Sequence, residues 1–108
     1  MKAKAENENP ENLPKTRDEH SCVLYKDSMI VFGGFLFGQR TNDVYQYNFD
    51  TNRWNWLAHQ GKVAPCSRAG HSAVIKLDEI NGDCLYIFGG KDDDNNKLND
   101  TWKFNFKT

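Results

Sequence analysis

The chain has 108 residues, which at ~150 residues per domain is room for one domain or less, and 14 Lys and Arg against 15 Asp and Glu leave a net charge of -1. That balance excludes binding to nucleic acid or an anionic membrane by bulk charge, while 38% apolar and 13% aromatic residues leave material for a core. The longest apolar-and-Gly run, residues 29–38, falls well short of the ~20 residues a membrane-spanning helix needs. Residues 1–14 are rich in Glu, Asn and Lys and poor in bulky apolar groups, which predicts a disordered N-terminal tail. They carry no apolar leader segment, so a location in the cytoplasm, or the nucleus, is expected.

From Arg17 onward short apolar runs alternate with turn residues, and no stretch sustains a 3.6-residue apolar period, so the fold class is all-β. Strands are expected at 21–25, 29–32, 43–48 and 53–57, with turns at 26–28 and 49–52 and a loop at 35–42. A second set follows at 72–76, 84–88 and 100–106. In both sets the first two strands are apolar on both faces, which predicts inner strands sandwiched between neighbouring sheets.

The two sets are copies. Arg17-x-x-His20-Ser21-x-Val23 returns as Arg68-x-x-His71-Ser72-x-Val74, and the run from Met29 to Gly33-Gly34 returns as Leu85 to Gly89-Gly90. Asn42-Asp43-Val44-Tyr45 returns as Asn99-Asp100-Thr101-Trp102. The spacing lengthens by about five residues in the polar turn at 77–83 and by about one after Gly90, both in connections, where insertions are tolerated. The units are 15–64 and 65–108, the second ending before a counterpart of Trp54.

Several constellations carry a chemical suggestion that the repetition removes. His20, Ser21 and Asp43 resemble a hydrolase triad, as do His71, Ser72 and Asp100. A catalytic trio occurs once per site, however, whereas a recurring one reads as structural hydrogen bonding, and no Gly-x-Ser-x-Gly elbow is present. Gly33-Gly34 and Gly89-Gly90 lack the Gly-Lys-Ser/Thr of a phosphate loop and read as glycines permitting positive φ or close backbone approach. Asp92-Asp93-Asp94-Asn95-Asn96 opens like a calcium loop but has Lys97 and Lys103 where Gly and Glu are required. Cys22, Cys66 and Cys84 form no Cys-x-x-Cys pair, and neither metal nor other cofactor is expected.

Arg-x-x-His-Ser, a β run ending in Gly-Gly, Asn-Asp-x-aromatic and then Trp54 together resemble the kelch repeat, whose period is near 50 residues. The resemblance covers residues 17–108, nearly everything outside the tail. It implies one four-stranded propeller blade per repeat, so about two blades of a ring that closes with ~4 to 8, an open piece of a longer propeller. Arg17, His20, Gly33, Gly34, Asp43, Tyr45 and Trp54, with Arg68, His71, Gly89, Gly90, Asp100 and Trp102, are then structural repeat positions.

The resemblance also implies a non-catalytic module that presents rim loops to a protein partner, as a scaffold or adaptor does, with no nucleic acid or membrane partner. Phe35, Leu36 and Phe37 have the wholly polar Lys91-Asp92-Asp93 as counterpart, which nominates them as anchors or, alternatively, as a cap folded over the adjacent blade. Arg40, Lys62, Asp92, Asp93 and Asp94 share the expected rim. Two alternatives follow: a fragment of a kelch-propeller enzyme such as a sugar-acid epimerase or an oxidase, and a self-associating piece whose open edges meet remaining blades or other copies of the chain.

Overall fold

The computed structural model describes residues 13–59 and 64–107; nearly all of the expected tail, and Lys62, lie outside the described residues. Among the described residues every regular element is a strand. The first sheet is an antiparallel meander of β1 (Ser21–Tyr25), β2 (Ser28–Phe32), β5 (Val44–Asn48) and β6 (Arg53–Leu57). Between β2 and β5 a small hairpin is formed by β3 (Phe35–Leu36) and β4 (Gln39–Arg40). The second sheet holds β7 (Ser72–Lys76), β8 (Cys84–Phe88) and β9 (Thr101–Asn105) in sequence order.

The registers of the two sheets coincide. Ser21 faces Phe32 and Phe32 faces Val44, just as Ser72 faces Phe88 and Phe88 faces Thr101. Asx turns connect the strands. The Asn48 side-chain carbonyl accepts the amides of Asp50 and Thr51 at 2.8 and 3.0 Å, and the inserted turn at 77–83 is folded by Asp78, which accepts from Ile80 and Asn81.

Because side chains alternate along a strand, each sheet presents one face to the other. Ile30, Phe32 and Val44 of the first pack with Leu85 and Ile87 of the second, and Val23, Tyr25, Leu57, Ile75, Trp102 and Phe104 close around them. The double glycines fit the sheets' crowded ends. Gly34 has φ +111° and a Cβ there would meet the Asp18 carbonyl oxygen at 2.8 Å; at Gly90 φ is +94° and the Ala69 oxygen would lie at 2.7 Å. Both expected reasons for glycine apply.

Two expectations are corrected. The loop expected at 35–42 contains the β3–β4 hairpin, which is too short for its alternation to show in the sequence. The innermost strands are not buried on both faces: Leu24 on β1 is 70% exposed and Val74 on β7 is 61% exposed. Burying both faces takes a sheet on each side, and each sheet here has one neighbour.

Candidate partner interface

Loops from both sheets meet at the end of the strands that carries the double glycines. The β3–β4 hairpin is anchored at its base by a bridge between Asp18 and Phe35, whose backbone groups exchange hydrogen bonds of 3.0 and 2.7 Å. Arg40 ties the hairpin to the loop of the second sheet. Its amide donates to the Asp93 carboxylate at 2.8 Å, and its guanidinium donates to Asn95 at 3.1 Å while lying 5.3 Å from the centre of the Phe35 ring. At the hairpin tip Phe37, at φ 49°, precedes Gly38 and is 81% exposed.

The acidic loop folds on its own side chain. Asp92 accepts the amides of Asp94 and Asn96 at 3.0 Å each, with Asn95 at φ 63° closing the turn. Those amides, Asn96 first, hold the Asp92 carboxyl below its usual range. Asp94 is exposed. The geometry thus places Phe35, Leu36, Phe37, Arg40, Asp92, Asp93 and Asp94 on one rim, but in different situations: Phe35 lies under Arg40, Asp92 is occupied by backbone, and Phe37 projects. Asn95, which pins Arg40, lies on the expected rim but was not among the nominated contact residues; nothing in a run of Asp and Asn singles out the one that reaches across.

Beneath the rim lies the seam between the sheets, and it absorbs the repeated polar residues. Arg68, 0% exposed, donates to both carboxylate oxygens of Asp100 at 2.7 and 2.9 Å, to the Gly89 carbonyl at 3.1 Å and to the Cys66 carbonyl at 3.2 Å. Trp102 donates its indole N–H to Asp100 at 2.7 Å. The Arg68 pairing and this bond hold Asp100 far below the ordinary carboxylate range. In the first sheet Arg17 makes the matching backbone contacts, to Gly33 at 3.2 Å and Lys15 at 3.1 Å, and lies over the Tyr45 ring, which also packs edge-on against Trp54.

His71 reaches across the seam, its Nε2 lying 2.8 Å from the Ser21 hydroxyl and its ring edge-on to Phe32. Its Nδ1 is buried with no partner. Burial above all, assisted by the charge of Arg68, pushes the imidazole down to about 4. The apparent triads are therefore taken apart: His71 meets the serine of the other repeat, and Asp100 belongs to Arg68. Tyr25 makes a second tie, donating its hydroxyl to Asp83 at 2.7 Å and stacking on Phe106 with centroids 4.3 Å apart. Neither crossing could be read from one repeat, because each joins a residue to a non-equivalent partner in the other.

An apolar cleft of about 310 Å³ opens along β9, lined by Phe32, Val44, Pro65, Trp102 and Phe104. It is the flank of the core beside the outer edge of the second sheet. Among the described residues no three His, Cys, Asp or Glu side chains cluster as metal ligands would.

Successive antiparallel sheets, packed face on face with identical register and sealed by a repeated Arg and Gly-Gly, define a protein of the β-propeller class in an unclosed form. The whole sequence from residue 2 to 108 matches the model of the KLHDC2/KLHL20/DRC7 Kelch-repeats domain, and the chain belongs to the kelch-repeat family. It is 36% identical over 91 residues to Kelch domain-containing protein 2 of Bos taurus, covering 84% of this chain and 21% of that protein. Kelch domain-containing protein 1 of Mus musculus is 35% identical over 95 residues, 88% of this chain and 22% of its own length. Host cell factor 1 of Homo sapiens is 34% identical over 84 residues, covering 72% of this chain and 4% of that protein. The chain spans about a fifth of the two kelch domain-containing relatives.

Proposed function

We propose that this chain is a non-catalytic interaction segment that offers its rim to a protein partner, with Phe37 as the anchoring side chain. The observation that carries the reading is an 81% exposed aromatic at the tip of a hairpin tied down at Asp18, Asp93 and Asn95. A ring carried on an anchored hairpin forfeits little backbone freedom on binding, and aromatic residues dominate interface energetics. Asp94, exposed on the acidic loop of the second sheet, gives the rim an acidic accent suited to a basic residue on the partner. A binding role rather than catalysis is supported by the seam, where His71 faces Ser21 and Asp100 is saturated by Arg68 and Trp102. The matched relatives named for their kelch domains are consistent with a module of this kind.

The test is a Kd measurement on a protein partner captured with this chain. Phe37→Ala should weaken binding about thirtyfold or more, the minimum effect of a hot-spot truncation, at an unchanged melting temperature. Equal affinity of the variant contradicts the reading.

A further inference from the structure

A hollow of about 440 Å³ opens on the rim where loops of the two sheets meet, lined by Glu19, Arg40, Gly70, Gly90, Lys91 and Lys97. Backbone bonds fix its walls. Gly70 donates its amide to the Glu19 carbonyl at 2.8 Å, Lys91 and Ala69 exchange bonds of 2.9 and 3.1 Å, and Leu98 donates to the Gly90 carbonyl at 2.8 Å. Three cations and one carboxylate line the hollow, a net of +2, and among the described residues none of the four side chains forms an ion pair. Arg40 is held over the Phe35 ring and against Asn95, yet its Nε is buried with no hydrogen-bond partner. A buried donor without an acceptor is costly. Lys97 holds the repeat position of Arg40, but Lys91 stands where the first repeat has Phe35, so this cation is particular to the second loop.

We propose that this hollow receives a phosphoryl group carried on a side chain of the protein partner, an inference that rests on the rim's being the partner-binding face. The net charge of the lining matches the roughly -1.5 to -2 of a phosphorylated Ser, Thr or Tyr near neutral pH and exceeds the single charge of a carboxylate. A guanidinium already held in place presents its N–H groups as a fork suited to phosphate oxygens, and the two ammonium groups act beside it as point charges on flexible stems. An oxyanion lodged against Arg40 supplies the acceptor that its Nε lacks. Position fits as well: Arg40 and Phe37 share the β3–β4 hairpin, so a partner seated on Phe37 meets the edge of the hollow.

An amide NMR titration of the isotope-labelled 108-residue chain at neutral pH tests this, using inorganic phosphate and short peptides alike except for a central phosphoserine, Glu or Ser. The phosphoserine peptide should shift the amides of Gly70, Gly90, Lys91 and Lys97 saturably, the Glu peptide should bind about tenfold more weakly or worse, and the Ser peptide should leave them in place. Combining Lys91→Gln with Lys97→Gln, both at exposed positions, should weaken the phosphoserine peptide about tenfold or more while the rest of the spectrum stays unchanged. Phe37→Ala should not alter this binding, so the hollow and the anchoring ring can fail independently. Phosphoserine and Glu peptides that bind alike, shifts spread over lysines elsewhere such as Lys103, or no saturable shift at millimolar peptide would each overturn the proposal. Inorganic phosphate shifting these amides while the phosphoserine peptide does not would make the occupant a free anion and overturn it as well.

Discussion

Arg17 and Arg68 occupy the same place in two copies of one motif and have different lives. Both donate to the carbonyl of a Gly that ends a strand and to the carbonyl two residues before themselves. Only Arg68 is fully buried and holds its repeat's aspartate in a two-pronged pair; among the described residues Arg17 makes no ion pair with Asp43. The difference is cover. The first sheet lies over Arg68, excluding water and fixing the guanidinium, while Arg17 faces the side that carries no sheet. The repeated Arg is thus a clamp whose strength depends on the neighbouring blade, and one repeat in isolation would misreport it.

The sharpest way to break this comparison is to remove each Arg. Arg68→Ala should cost ~3 kcal/mol, the low end for breaking a buried pair because the Asp100 side chain keeps 41% of its exposure, whereas Arg17→Ala should cost less than ~1 kcal/mol. Urea unfolding monitored by Trp fluorescence reads both; equal costs would mean that cover is irrelevant to the clamp.

Acid provides the next test, because His71 is half-buried and neutral on the covered side, its Nδ1 shut off from solvent. Its folded pKa of about 4 lies below the ~6.5 of an unfolded His, so between those values the unfolded chain binds the extra proton. The His71 contribution to stability is complete above about pH 6.5, declines as pH falls, and is gone near pH 4. Asp100, also depressed, adds its own loss only below the normal carboxylate range. His71→Gln, which keeps a group able to meet Ser21, should flatten the melting temperature between pH 6.5 and 4.5; an unchanged slope would place the sensitivity elsewhere.

A smaller effect is expected at the ties of the seam. Tyr25→Phe deletes the hydroxyl that donates to Asp83 while leaving the stack on Phe106, and should lower the melting temperature modestly. Its repeat equivalent Lys76 is exposed, and Lys76→Ala should leave the monomer's melting temperature unchanged. Smallest of all, Phe37→Ala should not alter stability, since the ring touches solvent.

Much of this architecture is legible in the sequence because the motif is written twice: β1, β6, β7 and β8 have the expected bounds, and the all-β class follows from short apolar runs between turn residues. What escapes is whatever depends on a neighbour. Leu24 and Val74 are apolar and exposed, since a sequence records that a face is suited to burial but not whether a sheet covers it. Phe35, Leu36 and Phe37 are alike in composition, yet one lies under Arg40 and another projects, a distinction set by the positive φ at Phe37 and by a cross-loop bond to Asn95. The structural use of His71 was foreshadowed by its repetition; its partner, the serine of the other repeat, was not.

The central claim is that the two sheets close on each other as consecutive blades, with the His71 ring held between them against Ser21. Titrating the His71 ring Cε1 proton by NMR tests it most directly. The account predicts a midpoint of about 4. A midpoint near the ~6.5 of a solvated His would show an open seam and contradict it.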